Sequence, residues 1–423
     1  MFWRTNFEST LLKKIVNYYL KSRDFNGIPL DLLLRNQNHD CTDLLKRLVR
    51  KGLVEVISGQ WDNPHIKRLR SREVTKQIQA LESRPATTVC LYPTTKHMKA
   101  VIRPHLFQSR PFTRLLALAN PQIEPMFFEL SVLDRYQSDP RYIFQFDGLD
   151  GHVSISDKHY QSRSMNTSDK VILQSFGLGS DTKGLRVAVV FLRYLSGLTP
   201  RHQQHWGSHQ IGRKCRVESN YFRRSIFGEW TDGISVYEAL RSELLHINQM
   251  CGLIGLPPLF LKDFSDKPPK GFGLLIRPTQ QGYFEFAHTL DKIISENLNK
   301  QFFDAEGLLL EEQKASEGGA VEIIRKGTLR LLEEWLTKRI RFEIQGGPSK
   351  ILSPLKLVRR IRQKPAHDVL DDEFSINYQR KKEKLIQDVY FSISNIRTIF
   401  QTHPRTTNYR LPERLKTGNL VLY

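Results

Sequence analysis

The 423-residue chain has little cysteine. Cys41, Cys90, Cys215 and Cys251 stand far apart and form no CxxC pair. That spacing excludes a zinc ribbon and a disulfide framework. It fits a reducing compartment, and a cytoplasmic location is expected. Long apolar runs are also missing: no stretch reaches the roughly 18 consecutive apolar residues that a membrane span needs. Residues 1–10, with Arg4 and Glu8, lack the apolar stretch of a secretory signal, so no membrane association is expected. No repeat of fixed period is present. Gly177-Leu178-Gly179-Ser180 lacks the Lys-Ser/Thr ending of a phosphate loop. With neither a nucleophile elbow nor a paired-carboxylate motif, no cofactor or metal is expected.

Acid is scarce relative to base. Lys and Arg number 64 against 44 Asp and Glu, giving a net charge of +20 and a pI near 9.8. Such an excess points to a polyanionic partner, nucleic acid before an anionic membrane surface. Residues 320–423 carry 21 Lys and Arg against 11 Asp and Glu, so about half the excess sits on the last quarter of the chain. The length allows two to four domains, and 39% hydrophobic and 10% aromatic residues are enough for packed cores.

The first 70 residues read as a helical unit with a terminal hairpin. Leu11, Leu12, Ile15, Val16 and Tyr19 recur at helical spacing. Pro29 suits the start of a second helix. Asp40 can cap a third, which holds Leu44, Leu45, Leu48 and Val49 and closes at Gly52. Leu53, Val54, Val56 and Ile57 read as a strand, followed by a turn at Ser58-Gly59 and the basic run Lys67-Arg68-Leu69-Arg70. Three helices and a two-stranded wing resemble a winged helix-turn-helix domain. Such domains bind duplex DNA with the third helix, here through Lys46, Arg47 and Arg50, or serve as protein-binding modules. Residues 90–265 mix short β-like runs, such as 142–146 and 185–191, with helical pieces including 236–250, and do not reveal a fold.

Beyond the polar stretch ending Lys267-Pro268-Pro269-Lys270 the pattern is helical. Phe284, Ala287, Leu290, Ile294 and Leu298 form one stripe. Val321, Ile324, Leu331, Leu332, Trp335, Leu336 and Ile340 suggest a second helix. Ser353-Pro354 reads as the cap of a short third helix through Leu355, Val358 and Ile361. Ile386, Val389, Ile393, Ile396 and Phe400 mark a last long one.

Between those last two helices lies Arg359-Arg360-Ile361-Arg362-Gln363-Lys364-Pro365-Ala366-His367. A histidine moves protons near neutral pH, and a guanidinium grips a phosphate in bidentate fashion. Three of the 13 histidines have an arginine four to six intervening residues before them: His246 with Arg241, His367 with Arg362 and Arg360, and His403 with Arg397. The first pair falls within one continuous helical pattern, and His403 ends a helix. Only His367 follows a helix break, in a cluster with Arg359 and Lys364.

At these residues the chain resembles the HEPN superfamily of helical-bundle ribonucleases, over roughly residues 283–403. The resemblance implies a bundle that dimerises with both Arg/His pairs at the interface. It also implies metal-independent RNA cleavage that leaves a 2′,3′-cyclic phosphate, often in toxins or phage-defence effectors. His367 would act as general base or acid, and Arg362, with Arg360 as the alternative, would stabilise the developing charge. An acidic or amide residue of the first helix often supports the site in this family; Glu296, Asn297 and Asn299 are the candidates.

A second cluster, His202, His205 and His209, could share one helix face and bind a metal, but no acid lies within it and six Lys and Arg occupy residues 201–224. An RNA-contact surface fits better, with Arg213, Arg216, Arg223 and Arg224 beside Trp206, Tyr221 and Phe222. An ordinary solvated face remains the simpler alternative. The expected fold class is a multidomain, mostly helical α+β protein. It comprises a winged-helix-like domain over 1–72, a mixed α/β region over 73–265, a HEPN-like bundle over 271–405 and a tail over 406–423. The expected partner is RNA, with DNA a further candidate for the N-terminal domain, and the expected assembly is a homodimer.

Overall fold

A computed structural model describes residues 2–35, 41–59, 63–83, 88–229, 233–266, 268–269, 271–315, 321–339, 347–364, 371–416 and 419–422. The protein is mixed α/β and mostly helical. It divides into two units, Met1–Gln145 with Asp150–Glu229, and Phe146–Leu149 with Trp230–Tyr423.

The first unit opens with α1 (Phe2–Lys21), β1 (Ile28–Pro29), α2 (Leu30–Leu34), α3 (Thr42–Arg50), β2 (Val54–Ser58), α4 (Val74–Ser83) and β3 (Val89–Pro93). Leu11 and Ile15 of α1 pack with Leu45, Leu48 and Val49 of α3 and with Val54, Val56 and Leu91 of the sheet. Gly52, at φ +66°, ends α3 as expected: its N–H donates to Val49 and the Leu53 N–H to Leu48. This left-handed closure is open to glycine at no steric cost. Asp40 lies outside the described residues, and Cys41 holds the position before α3 without a side-chain cap.

The expected hairpin takes a different form. The partner of β2 is β3, some thirty residues on, and β1 adds a third strand in the antiparallel order β1-β3-β2. The segment between β2 and β3 carries α4, which packs on α3 and β2. The sheet therefore extends past residue 72, and Lys67 of the basic run is buried in an ion pair with Glu55.

Next come α5 (Thr95–Val101), α6 (Pro111–Ala117), β4 (Pro125–Glu129), α7 (Asp134–Ser138), β5 (Tyr142–Phe146), β6 (Asp150–Ile155) and α8 (Asp157–Tyr160). They are followed by β7 (Ile172–Asp181), β8 (Arg186–Phe191), α9 (Leu192–Ser196), α10 (Pro200–Ser208), β9 (Cys215–Val217) and α11 (Ser219–Phe222). The six strands form one sheet in the order β4-β8-β7-β6-β5, with β9 paired to β7. Gly177 and Gly179 are strand residues that admit the Tyr221 ring and the Arg216 carbonyl, where a Cβ would collide. Their role is close packing.

The second unit contains β10 (Ile234–Ser235), α12 (Val236–Ile254), α13 (Gln280–Ile294), α14 (Lys300–Ala305), β11 (Glu311–Ala315), β12 (Val321–Arg325), α15 (Thr328–Arg339), α16 (Gly347–Gln363), α17 (Ile376–Gln401), α18 (Glu413–Lys416) and β13 (Leu420–Val421). Its core joins Leu240, Leu244 and Ile247 of α12 to Leu290 and Ile294 of α13, Leu332 and Leu336 of α15, Leu355 and Val358 of α16, and Val389 and Ile393 of α17.

Three features depart from the sequence reading. Val321 and Ile324 belong to a β-hairpin, and the second helix begins only at Thr328. The β-branched run Val321-Glu322-Ile323-Ile324 suits an extended chain. Helix α16 starts at Gly347, ahead of Ser353-Pro354, and contains Pro354. A proline there leaves the Lys350 carbonyl without its usual partner, and Ser353 Oγ donates to that carbonyl at 3.0 Å. Finally, α12 and residues 406–422 join this unit: α12 packs along α17, and β13 pairs in parallel with β10.

Candidate functional site

Helices α13 and α16 pack side by side and bring the end of α16 against the last turn of α13. Asp291, in that last turn, is 0% exposed. A buried carboxylate at the negative end of a helix is unfavourable on two counts, desolvation and dipole repulsion. Cations must offset it. Arg362 Nη1 donates to Asp291 Oδ2 at 2.6 Å and also to Glu296, just beyond α13. Arg359 Nε lies 3.6 Å from Asp291 Oδ1, which among the described residues accepts no hydrogen bond.

Arg359 and Arg362 are three positions apart on α16 and share a face. Arg360, one step round, is exposed, as is Lys364. The Asp291 and then the Glu296 hydrogen bonds raise the Arg362 guanidinium pKa further above its ordinary value. Its side chain is 29% exposed, so an edge of the guanidinium remains accessible.

Of the three candidate supporting residues, Glu296 contacts Arg362. Asn297 instead bridges the backbone of Lys262 through both amide atoms. Asn299 caps α14 and donates to the Pro258 carbonyl. Asp291 was missed by sequence reasoning; its signal was an acid within an apolar stripe between Leu290 and Ile294. His367 lies outside the described residues, as does Pro365. Arg241 and His246 have separate partners: Arg241 donates to the Phe264 carbonyl, and His246 meets Tyr409 Oη at 2.6 Å.

Of the histidine cluster, His202 and His205 lie on α10 and His209 follows its last residue, and all three imidazoles are occupied. His202 bonds Tyr136 Oη at 2.8 Å, His205 the Val132 carbonyl at 3.0 Å and His209 the His205 carbonyl at 2.9 Å. No metal-competent group of three or more His, Cys, Asp or Glu exists among the described residues. The expected stacking surface is corrected as well. Trp206 and Tyr221 are fully buried: Trp206 donates to Tyr136 Oη, and Tyr221 stacks on Phe191. Large rings bury their area in the core when the sheet offers a slot.

Among the basic candidates nearby, Arg213 pairs with Asp181, Arg223 with Glu229 and Arg224 with Asp150, while Arg216 is exposed. On α3, Lys46 pairs with Asp43 and Glu82, and Arg47 with Glu8; Arg50 is exposed. No helix among the described residues is long and apolar enough to cross a membrane. Comparison with protein-family models, curated proteins and solved structures gave no significant match.

Proposed function

We propose that the second unit is a metal-independent endoribonuclease of the HEPN type. The observation that carries this reading is the cradle of Asp291 and Glu296 around Arg362. It supplies, from the first long helix of the helical pattern, the acidic support that the resemblance implies. A guanidinium fixed in this way can stabilise charge without reorganising during the reaction. In the proposed step, His367 takes the proton of a ribose 2′-hydroxyl and that oxygen attacks the adjacent phosphorus. Arg362 stabilises the charge on the phosphoryl oxygens. The 5′-oxygen leaves with the proton that the His367 imidazolium returns, giving a 2′,3′-cyclic phosphate and a 5′-hydroxyl. Two copies would bring two Arg/His pairs to one groove, and a role in toxicity or phage defence rests on the resemblance alone.

The test is cleavage of labelled RNA in excess chelator by the wild type and by His367→Ala. Cleavage by the wild type and loss in the variant are expected. Equal activity, or none in the wild type, overturns the reading.

One observation favours a second, non-catalytic reading. Arg362 already faces two carboxylates, so its charge is balanced within the fold. A nucleic-acid-binding regulator would then use the first unit, whose helices α1, α2 and α3 with the antiparallel strands β1, β2 and β3 support the winged-helix resemblance. It would bind nucleic acid with a strong salt dependence that His367→Ala leaves unchanged.

A further inference from the structure

In the first unit a groove of about 700 Å³ runs along one face of α4. Ser58 of β2 and Arg68 bound one side. Arg72, just ahead of the helix, and Lys76, Gln79 and Ser83 on its successive turns line the other. Residues 67–76 carry five cations, Lys67, Arg68, Arg70, Arg72 and Lys76, against one acid, Glu73. Lys67 turns inward to Glu55. The lining cations are therefore Arg68, Arg72 and Lys76, opposed by Glu73, which lies 4.0 Å from Lys76.

The groove is built on a buried frame. Ser58 and Gln77 are 4% and 5% exposed. Gln77 accepts from the Val56 N–H at 2.8 Å and donates to the Arg72 carbonyl at 2.7 Å, which ties the start of α4 to β2. Arg72 Nη1 donates to Ser58 Oγ at 3.0 Å, so the guanidinium is held across the groove floor. Burial, and then the charge of Arg72, lower the Arg68 guanidinium pKa, partly offset by the Glu55 carboxylate. Two guanidiniums held within range of mutual repulsion are stabilised by an anion between them. The positive end of α4, with no acid in its first turn, adds to the same field.

Ligand pockets of about 300–1,000 Å³ are usually lined mainly by apolar groups. This one has that size with a polar, cationic lining. We infer that the groove along α4 is a phosphate-binding site of the first unit, and that it takes a phosphate-bearing ligand of nucleotide size. Arg68, Arg72 and Lys76 hold the phosphates, and Gln79 and Ser83 meet the remainder of the ligand. The ligand is either a free nucleotide or a stretch of a nucleic-acid strand. The inference is independent of the reading of Arg362.

The test uses the full chain with two probes, ATP and a labelled single-stranded RNA, each at low and moderate salt. Binding is followed by titration and by hydrogen exchange across residues 67–83. Protection of that segment by either probe is expected, with affinity at least about tenfold lower in the double variant Arg72→Gln/Lys76→Gln. For the strand, that variant's salt slope should fall by about one to two. Lys99→Gln, at an exposed position on α5, serves as the control with unchanged affinity, and Arg72→Lys should retain part of the binding. Binding of both probes assigns the site to compact nucleotides, and binding of the strand alone assigns it to a chain. No protection at 67–83 by either probe, or equal affinities of the double variant and the wild type, overturns the proposal. Lys76 is exposed and Arg72 half-buried, so a melting temperature close to that of the wild type shows that the variant is folded.

Discussion

Arg362 and Asp291 lie 71 positions apart in the chain and meet at 2.6 Å, the cation on the rim of the bundle and the carboxylate wholly inside it. The pair is asymmetric. Without Asp291, Arg362 can turn to water; without Arg362, Asp291 keeps, among the described residues, only the Arg359 cation at 3.6 Å. Arg362→Met should therefore destabilise the protein by about 2–3 kcal/mol, a discounted version of the cost of stranding a buried charge. Arg360→Met, at an exposed position, should change stability by less than about 0.5 kcal/mol. Denaturant unfolding of the two variants checks the difference, and equal losses would refute the asymmetry.

If Arg362 acts on phosphate, its orientation matters more than its presence in the groove. Asp291→Asn keeps the shape of the cradle and removes the charge that fixes the guanidinium. Turnover of RNA should fall about ten- to a hundredfold with KM little changed. A rise in KM at constant kcat would instead assign Arg362 to substrate binding alone.

His202 is 0% exposed, and burial pushes its imidazole pKa from 6.5 down to about 4. The unfolded chain thus binds a proton between those values that the folded chain refuses. Stability is complete above pH 6.5 and falls as the pH drops towards 4, by up to about 3 kcal/mol from this residue. His205 is shifted in the same direction, again chiefly by burial. In melting curves over this range, His202→Gln should reduce the pH slope without abolishing it. An unchanged slope would show that His202 is not the titrating group.

Gly177 leaves room for the Tyr221 ring, which stacks on Phe191. Gly177→Ala should cost about 1–3 kcal/mol by overpacking. Gly184→Ala, where a Cβ meets nothing within 4 Å but φ is +80°, should cost only backbone strain, about 1 kcal/mol. Thermal unfolding of both separates crowding from backbone strain.

Pro354 interrupts α16, and Ser353 and Ser392 take up the Lys350 and Ile351 carbonyls around it. Pro354→Ala should restore a helical hydrogen bond and stabilise the protein by about 1–3 kcal/mol. A lower melting temperature would mean that the proline shapes the packing of α16 on α17.

Periodic patterns were the most legible part of the fold. The stripes of α1, α13 and α17, the end of α3 at Gly52 and the runs at 142–146 and 186–191 depend on neighbours a few positions away, and alternation or a 3.6-residue repeat encodes them directly. The hairpin of β11 and β12 was less legible, because Val321 and Ile324 satisfy a helical spacing as well as an extended one. The sheet partner of β2 was hidden by the helix inserted before β3.

The sequence by itself determined the cationic excess, the helical character of the last third and the clustering of Arg359, Arg360 and Arg362 at a helix end. Tertiary structure alone decided which of those arginines faces an acid, because Asp291 reaches Arg362 only through the packing of α13 on α16. It also decided that Trp206 and Tyr221 are core residues, that Lys46 and Arg47 of α3 pair with Glu8, Asp43 and Glu82, and that Arg68, Arg72 and Lys76 line one groove. The physical reason is range. Local spacing fixes which side chains share a face, whereas burial and charge pairing are set by residues far away in the chain, and those two quantities determine what a basic or aromatic side chain is free to bind.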